Sequence, residues 1–318
     1  MKVLKKNCRV NRWRFILILF AILVLTGMSG GLTVHAASVT AGAELHRLDN
    51  GLTLILKQDQ SAPVAAIQLW VKTGSANETE EEAGITHLIE HMIFKGTPTK
   101  PTGEIARAIE SAGGHINAYT SFDRTVYYVE IQSARFDTGL NVLLDAVQHS
   151  LFDPVELERE KEVVLEEYRR SLDMPERQLS WDVMDLSYQK HPYGRPIIGY
   201  QETIRAFTRD NILHYMDKWY TPDNMVLVAV GDFDPKSALQ SVKGLIRDFP
   251  ERKGATPSRP VEPPQTELRK RVKQKSVQQL YMNLLLAHPR AEPQGHVSAR
   301  CPRDRAGSRQ EFEAVQRT

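Results

Sequence analysis

Cysteine is nearly absent from this chain of 318 residues, which contains only Cys8 and Cys301. One lies near each end, so the part between them has neither a disulfide framework nor a thiolate metal site. The chain also has no large excess of charge of either sign, since it contains 41 Lys and Arg and 39 Asp and Glu. This balance gives no support to nucleic acid as a partner. Because no cysteine lies between Cys8 and Cys301, any metal bound there must use histidine and carboxylate ligands.

Long hydrophobic runs are missing as well. The run at residues 15–25 is shorter than the roughly 20 residues that a membrane-spanning helix needs. Basic residues precede it, and Val34-His35-Ala36 follows as a cleavage site of the A-x-A kind. We expect residues 1–36 to be a cleaved signal peptide, the product to be periplasmic or secreted, and no stable membrane anchor to remain. An uncleaved anchor is the alternative.

The most informative feature present is His87-Leu88-Ile89-Glu90-His91, which has the order H-x-x-E-H. Helix positions i, i+3 and i+4 share one face, so the two imidazoles and the carboxylate converge. Such a group suits zinc, with the carboxylate taking a proton from metal-bound water. The flanking residues are apolar nearly all round, which indicates a buried helix whose ionisable groups need a metal or partners. A polar helix face without metal is the alternative.

A third ligand is predicted on the acidic helix that begins at Pro154. Leu157 and Val164 mark its buried side, and Glu160 and Glu167 lie along the same stripe. We predict Glu167 as the remaining zinc ligand and Glu160 as a helper carboxylate beside the site. Three further carboxylates of this helix are expected to pair with neighbouring arginines: Glu158, Glu162 and Glu166.

The order of predicted elements gives an α+β fold, because strands and helices do not alternate as βαβ units. Asn50-Gly51 predicts a hairpin near the start. A metal-binding domain is predicted at 43–252, followed by a Pro-rich linker at 253–266. Residues 267–288 are interpreted as the start of a truncated second domain, with one or two strands at 268–287. The atypical tail at 289–318 is either disordered or a frameshift product.

Several motifs together resemble the pitrilysin/insulysin zinc metallopeptidases, most nearly the mitochondrial processing peptidase type and its bacterial relatives. The resemblance covers about residues 43 to 287. It is carried by the motif from His87 to His91, by Glu167, and by these stretches: Leu48-Asp49-Asn50-Gly51-Leu52, Gly113-Gly114-His115-Ile116-Asn117-Ala118-Tyr119-Thr120, His191-Pro192-Tyr193-Gly194 and Tyr220-Thr221-Pro222-Asp223-Asn224-Met225.

The resemblance implies a two-layer α/β half-domain of that type and a zinc endopeptidase acting on short or unfolded polypeptides. One zinc ion per chain would be held by His87, His91 and Glu167, with Glu90 as the general base that activates zinc-bound water. The peptide would lie as an added strand along the sheet edge at 117–120. This places three residues in contact with substrate: Asn117, Ala118 and Tyr119.

In one respect the chain departs from the family pattern. Members build a closed chamber from two related halves, and the second half supplies an arginine and a tyrosine that no position here matches. A homodimer or heterodimer partner could supply that half. Otherwise the chain is a non-catalytic subunit or a truncated, inactive fragment. The intact ligands and base favour the peptidase over a non-catalytic subunit.

Overall fold

The computed structural model describes residues 40–249 and 251–286. The predicted signal peptide at 1–36 and the tail at 289–318 lie outside these residues. The strands are β1 (Ala43–Arg47), β2 (Thr53–Gln58), β3 (Val64–Val71), β4 (His115–Thr120), β5 (Thr125–Gln132) and β6 (Met225–Gly231). The helices are α1 (Ile85–Met92), α2 (Glu104–Glu110), α3 (Phe136–His149), α4 (Pro154–Asp173), α5 (Pro175–Ser187), α6 (Gln201–Ala206), α7 (Arg209–Trp219) and α8 (Pro235–Leu245).

The six strands form one mixed sheet in the order β1-β2-β6-β3-β5-β4. Strands β2 and β6 pair in parallel, and the other neighbours are antiparallel. The first hairpin forms where Asn50-Gly51 predicts it, with Gly51 at φ 95°. Strand β4 is an edge of this sheet, so one side of its backbone has no neighbouring strand within the described residues.

The helices form a second layer on one face of the sheet. Alternate residues of β3 are buried, which is typical of a sheet covered on one side. Helix α3 packs on β3 and β5, and α8 packs on β2. The α+β prediction is therefore confirmed. Strand β6 is likewise covered on one face only: Met225, Leu227 and Ala229 are buried, whereas Val226 and Val228 are partly exposed. Helix α6 was not predicted.

Residues 251–286 contain no helix or strand, although strands were predicted at 268–287. No described strand lies alongside to complete their hydrogen bonds. The segment is instead attached by polar contacts. The Glu262 carboxylate accepts the backbone N–H groups of residues 189, 190 and 191, each at 2.9 Å. The Arg259 guanidinium contacts Asn77 and Asp123. In the described part of the chain, no helix is both long and apolar enough to cross a bilayer.

The N-terminus of α1 is fixed by a buried carboxylate. Glu78 is 5% exposed, and its two oxygens accept the backbone N–H groups of Gly84 and Thr86, each at 2.9 Å. These N–H groups lie at the start of the helix, where they have no partner within it. When the carboxylate is ionised, its negative charge at this end also interacts favourably with the helix dipole. Glu78 therefore anchors the helix that carries both histidines.

Gly84 allows a close approach at the same helix end. It precedes α1 with φ 96°, a conformation that side chains disfavour. A Cβ atom there would lie 2.4 Å from the carbonyl oxygen of Ile198. Only glycine lets the loop around Ile198 touch the start of α1.

A pH-dependent contribution to stability is expected from Glu78. Burial raises the pKa of Glu78 to about 7, against the hydrogen bonds from Thr86 and Gly84 that favour the charged form. The folded chain therefore keeps a proton that the unfolded chain releases above pH 4.5. The free energy of unfolding should fall by roughly 3 kcal/mol across this window as the pH rises, and stay lower above it.

Glu78→Gln should lose this dependence, because an amide does not titrate. Urea unfolding of both proteins below and above the window measures the difference. The exposed Glu80→Gln serves as the control and should follow the wild type. Parallel pH profiles for the wild type and Glu78→Gln would contradict the raised pKa.

Candidate metal centre

The structure brings the three predicted ligands together. His87 and His91 lie on α1, and Glu167 lies on α4, which packs against α1. The Nε2 atoms of both histidines are 3.7 Å from Glu167 Oε2. All three ligand atoms lie within 4.8 Å of one another. Tetrahedral zinc with Zn–N distances of about 2.0–2.1 Å places its ligand atoms about 3.3 Å apart. The donor set and its spacing therefore fit zinc after small side-chain shifts.

His87 is in the protonation state that a metal ligand requires. Burial, followed by the nearby charge of His91, lowers the pKa of His87 to about 3. The imidazole is therefore neutral at physiological pH and offers a lone pair. Its Nδ1 atom is buried and has no hydrogen-bond partner in the described part of the chain.

His91 is oriented by Glu160, which lies on the predicted inward stripe and is 6% exposed. His91 Nδ1 is 3.2 Å from Glu160 Oε2, and Lys95 Nζ is 2.5 Å from Oε1. Burial alone would raise the pKa of Glu160, but these two partners hold it below its ordinary value. When Nδ1–H donates to the carboxylate, the Nε2 lone pair faces Glu167. Glu160 thus contacts His91 at Nδ1, the ring nitrogen that does not face Glu167. A part for Glu160 in catalysis stays a prediction.

Glu90 joins the metal helix to the edge strand. The Thr120 hydroxyl donates to Glu90 Oε2 at 2.5 Å, and Thr120 is the last residue of β4. Burial raises the pKa of the Glu90 carboxyl, and the hydrogen bond from Thr120 opposes this. From the sequence, Thr120 was predicted only as part of the sheet edge at 117–120, and Lys95 was not singled out. Lys95 stands four residues after His91, a helical spacing that could have indicated it.

The predicted substrate residues lie along the exposed edge of the sheet. Asn117 and Tyr119 of β4 are exposed and Ala118 is partly buried. Asn117 Oδ1 accepts the backbone N–H of Ala118 at 2.8 Å. On its paired side, β4 is hydrogen-bonded to β5. The position suits an added strand, and contact of these residues with substrate stays a prediction.

A cavity of about 400 Å³ borders the ligand triad, which consists of His87, His91 and Glu167. Two of these ligands, His87 and Glu167, line its wall. It lies beyond the Thr120 end of β4 and is closed by α4, α5 and the loop at 194–198. No sequence pattern predicted it, because its walls come from four separate parts of the chain.

Comparison with known proteins identifies the family. Residues 53–201 match the model of the insulinase family, peptidase family M16, and residues 206–295 match that of the M16 inactive domain. The chain belongs to the M16 peptidase family. The predicted relation to pitrilysin and insulysin is thereby confirmed.

Curated relatives of this M16 chain are named as zinc proteases. It is 36% identical over 201 residues to an uncharacterized zinc protease of Rickettsia felis, covering 63% of this chain and 49% of the relative. It is 35% identical over 235 residues to an uncharacterized zinc protease of Bacillus subtilis, covering 74% and 56%. The Arabidopsis thaliana protein named as a probable mitochondrial-processing peptidase subunit beta is 33% identical over 198 residues, covering 62% and 37%. The chain spans about half the length of the first two of these relatives.

Solved structures share the fold. A protease from Helicobacter pylori superposes with a TM-score of 0.66 at 28% identity, covering 69% of this chain and 54% of that one. The periplasmic protease PqqL of Escherichia coli superposes with a TM-score of 0.64 at 28% identity, covering 71% and 26%. The observed sheet and helices therefore form an M16 half-domain.

Zinc binding should depend on Glu167 and not on its neighbour Glu166. Glu167→Gln removes one of three ligands. Zinc affinity should fall more than roughly 100-fold, because losing only a residue that hydrogen-bonds to a ligand can already lower metal affinity by that factor. Glu166 is exposed and pairs with Arg169, so Glu166→Gln should bind zinc like the wild type. Calorimetric titration measures affinity, and the rise in unfolding temperature on adding zinc checks it independently. Equal affinities in the two variants would rule out Glu167 as a ligand.

Proposed function

We propose that this chain is the metal-binding half of a zinc-dependent endopeptidase that hydrolyses peptide bonds of short or unfolded polypeptides. The proposal is carried by one observation: His87 Nε2, His91 Nε2 and Glu167 Oε2 converge, with Glu90 on the same helix face. The zinc protease names of its relatives support the same class of reaction.

The chain's own residues divide the chemistry between them. His87, His91 and Glu167 would hold one zinc ion, which supplies Lewis acidity and lowers the pKa of a coordinated water. Glu90 accepts the proton of the attacking water as general base. Thr120 keeps one Glu90 oxygen in a fixed hydrogen bond, which leaves the other to receive the proton.

Substrate would bind along β4. The outer side of an edge strand presents unpaired N–H and C=O groups, so an extended peptide can add to it as a further strand. Asn117, Ala118 and Tyr119 would make this contact. A folded substrate cannot offer a free extended backbone, which accounts for the preference for short or unfolded chains.

A second half-domain is proposed as a partner, from another copy of the chain or from a different subunit. Exposed apolar side chains near the end of the described residues support this, including Leu280, Met282 and Leu284. Such residues favour an interface. The alternative function is a non-catalytic subunit or an inactive fragment that needs a partner half-domain. Export to a periplasm or to the medium is also proposed, on the pattern of residues 1–36.

The decisive experiment is Glu90→Gln in the full chain. Cleavage of a quenched peptide should fall about 100- to 10,000-fold, because the general base is lost, while bound zinc should stay at the wild-type level. Chelator should abolish the wild-type cleavage. Glu110→Gln, an exposed change on α2, is the control and should cleave normally.

The other outcomes separate the candidates. Wild-type protein that binds zinc but cleaves nothing, even with an added second half-domain, would favour the inactive fragment. Failure to bind zinc would contradict the peptidase proposal itself.

A further inference from the structure

Apolar side chains form part of the wall of the cavity beside His87 and Glu167. Phe122 follows β4, Trp181 and Met184 project from α5, and Ile197 comes from the loop opposite. Such walls favour the stem of a side chain over bulk water.

Two cations, Arg177 and Arg195, also line the cavity. Arg177 lines the cavity from α5, and its side chain is 54% exposed. Its Nη1 donates to Ser171 Oγ at 3.1 Å and lies 3.9 Å from Glu167 Oε1. A guanidinium carries five N–H donors in a planar fork, so most of its donors are not used by these contacts.

The charge balance of the cavity depends on Glu167. Among the described residues that line it, Glu167 supplies the one carboxylate, and Arg177 and Arg195 supply two guanidinium groups. Arg195 is held by a bond from Nη2 to the backbone oxygen of Glu78. If Glu167 is a metal ligand, its charge is directed to the metal. Arg177 then faces the cavity without an anionic partner of its own.

We propose that this cavity is a subsite for a substrate residue that carries a carboxylate, which pairs with the guanidinium of Arg177. The inference rests on the proposed function. The carboxylate belongs to an Asp or Glu side chain or to the free C-terminus of a peptide, because both present the same two oxygens to the guanidinium fork.

The position of the cavity suits this role. Thr120 lines it and is also the last residue of β4. A peptide added along β4 would therefore reach the cavity as it passes the triad at His87 and Glu167. Alternate residues of an extended peptide point to one side, so one side chain near the cleaved bond would enter.

Peptide binding tests the subsite without requiring turnover. The full chain with zinc and Glu90→Gln is titrated with fluorescent, C-terminally amidated peptides that differ only in Glu, Gln or Lys at each position near the cleaved bond. At one position the Glu peptide should bind about fivefold more tightly than the Gln peptide, as expected for a partly exposed ion pair. A second series, with neutral side chains and either a free or an amidated C-terminus, distinguishes the terminal carboxylate from a side chain.

Charge reversal gives the sharper result. Arg177→Glu should invert the preference, so that the Lys peptide binds more tightly than the Glu peptide at the same position. Arg170→Gln is the matched control: it lies on α4, is 76% exposed, and pairs with Glu166. Bound zinc is measured in every variant, because Arg177 approaches the ligand Glu167.

Equal affinities for the Glu, Gln and Lys peptides, with either C-terminus, would overturn the inference, and so would a preference unchanged in Arg177→Glu. Either result leaves the proposed function standing if the wild type cleaves these peptides and binds zinc. Loss of peptide binding altogether would overturn the inference together with the substrate-binding part of the proposed function.

Discussion

The packing of α4 against α1 is the constraint on which the candidate site depends. Helix α1 alone presents two imidazoles and a carboxylate, and only the neighbouring helix brings Glu167 Oε2 within 3.7 Å of both Nε2 atoms. The same contact places Glu160 behind His91. Both carboxylates lie on one stripe of α4, two turns apart, so one helix–helix packing positions a ligand and the group that orients another ligand.

Burial of these ionisable groups is unfavourable because it removes them from water, and each group is stabilised separately. A buried charge needs partners. Glu160 has Lys95 and His91, and Glu78 accepts two N–H groups at the start of α1. His87 Nδ1 has no hydrogen-bond partner in the described residues, and the imidazole remains neutral. The partnered carboxylates thus leave His87 as a neutral imidazole whose Nε2 atom faces Glu167.

Local periodicity predicted the parts of the site that lie on single helices. The face of α1 and the stripe that contains Glu160 and Glu167 follow from the helical repeat, and both are observed. Contacts between distant segments could not be predicted this way. Glu162 pairs with Arg205 of the unpredicted helix α6, although an arginine on its own helix was expected. The fit of Gly84 against Ile198 likewise depends on a loop more than a hundred residues away in the chain. The prediction of strands at 268–287 was wrong for the described residues of this stretch, because an apolar pattern forms a strand only beside a partner strand.

The bond between Thr120 and Glu90 has a consequence for the proposed mechanism. Thr120 ends the edge strand, lines the cavity and donates to the proposed base. A peptide that pairs with β4 would hold this strand end in place, and with it the carboxylate oxygen that Thr120 contacts. Substrate binding and orientation of Glu90 would then be coupled through a single hydroxyl group. A short peptide that does not reach Thr120 would still gain binding energy from β4, but it would not help to orient Glu90. Shortening the peptide would therefore lower kcat more than it lowers binding affinity.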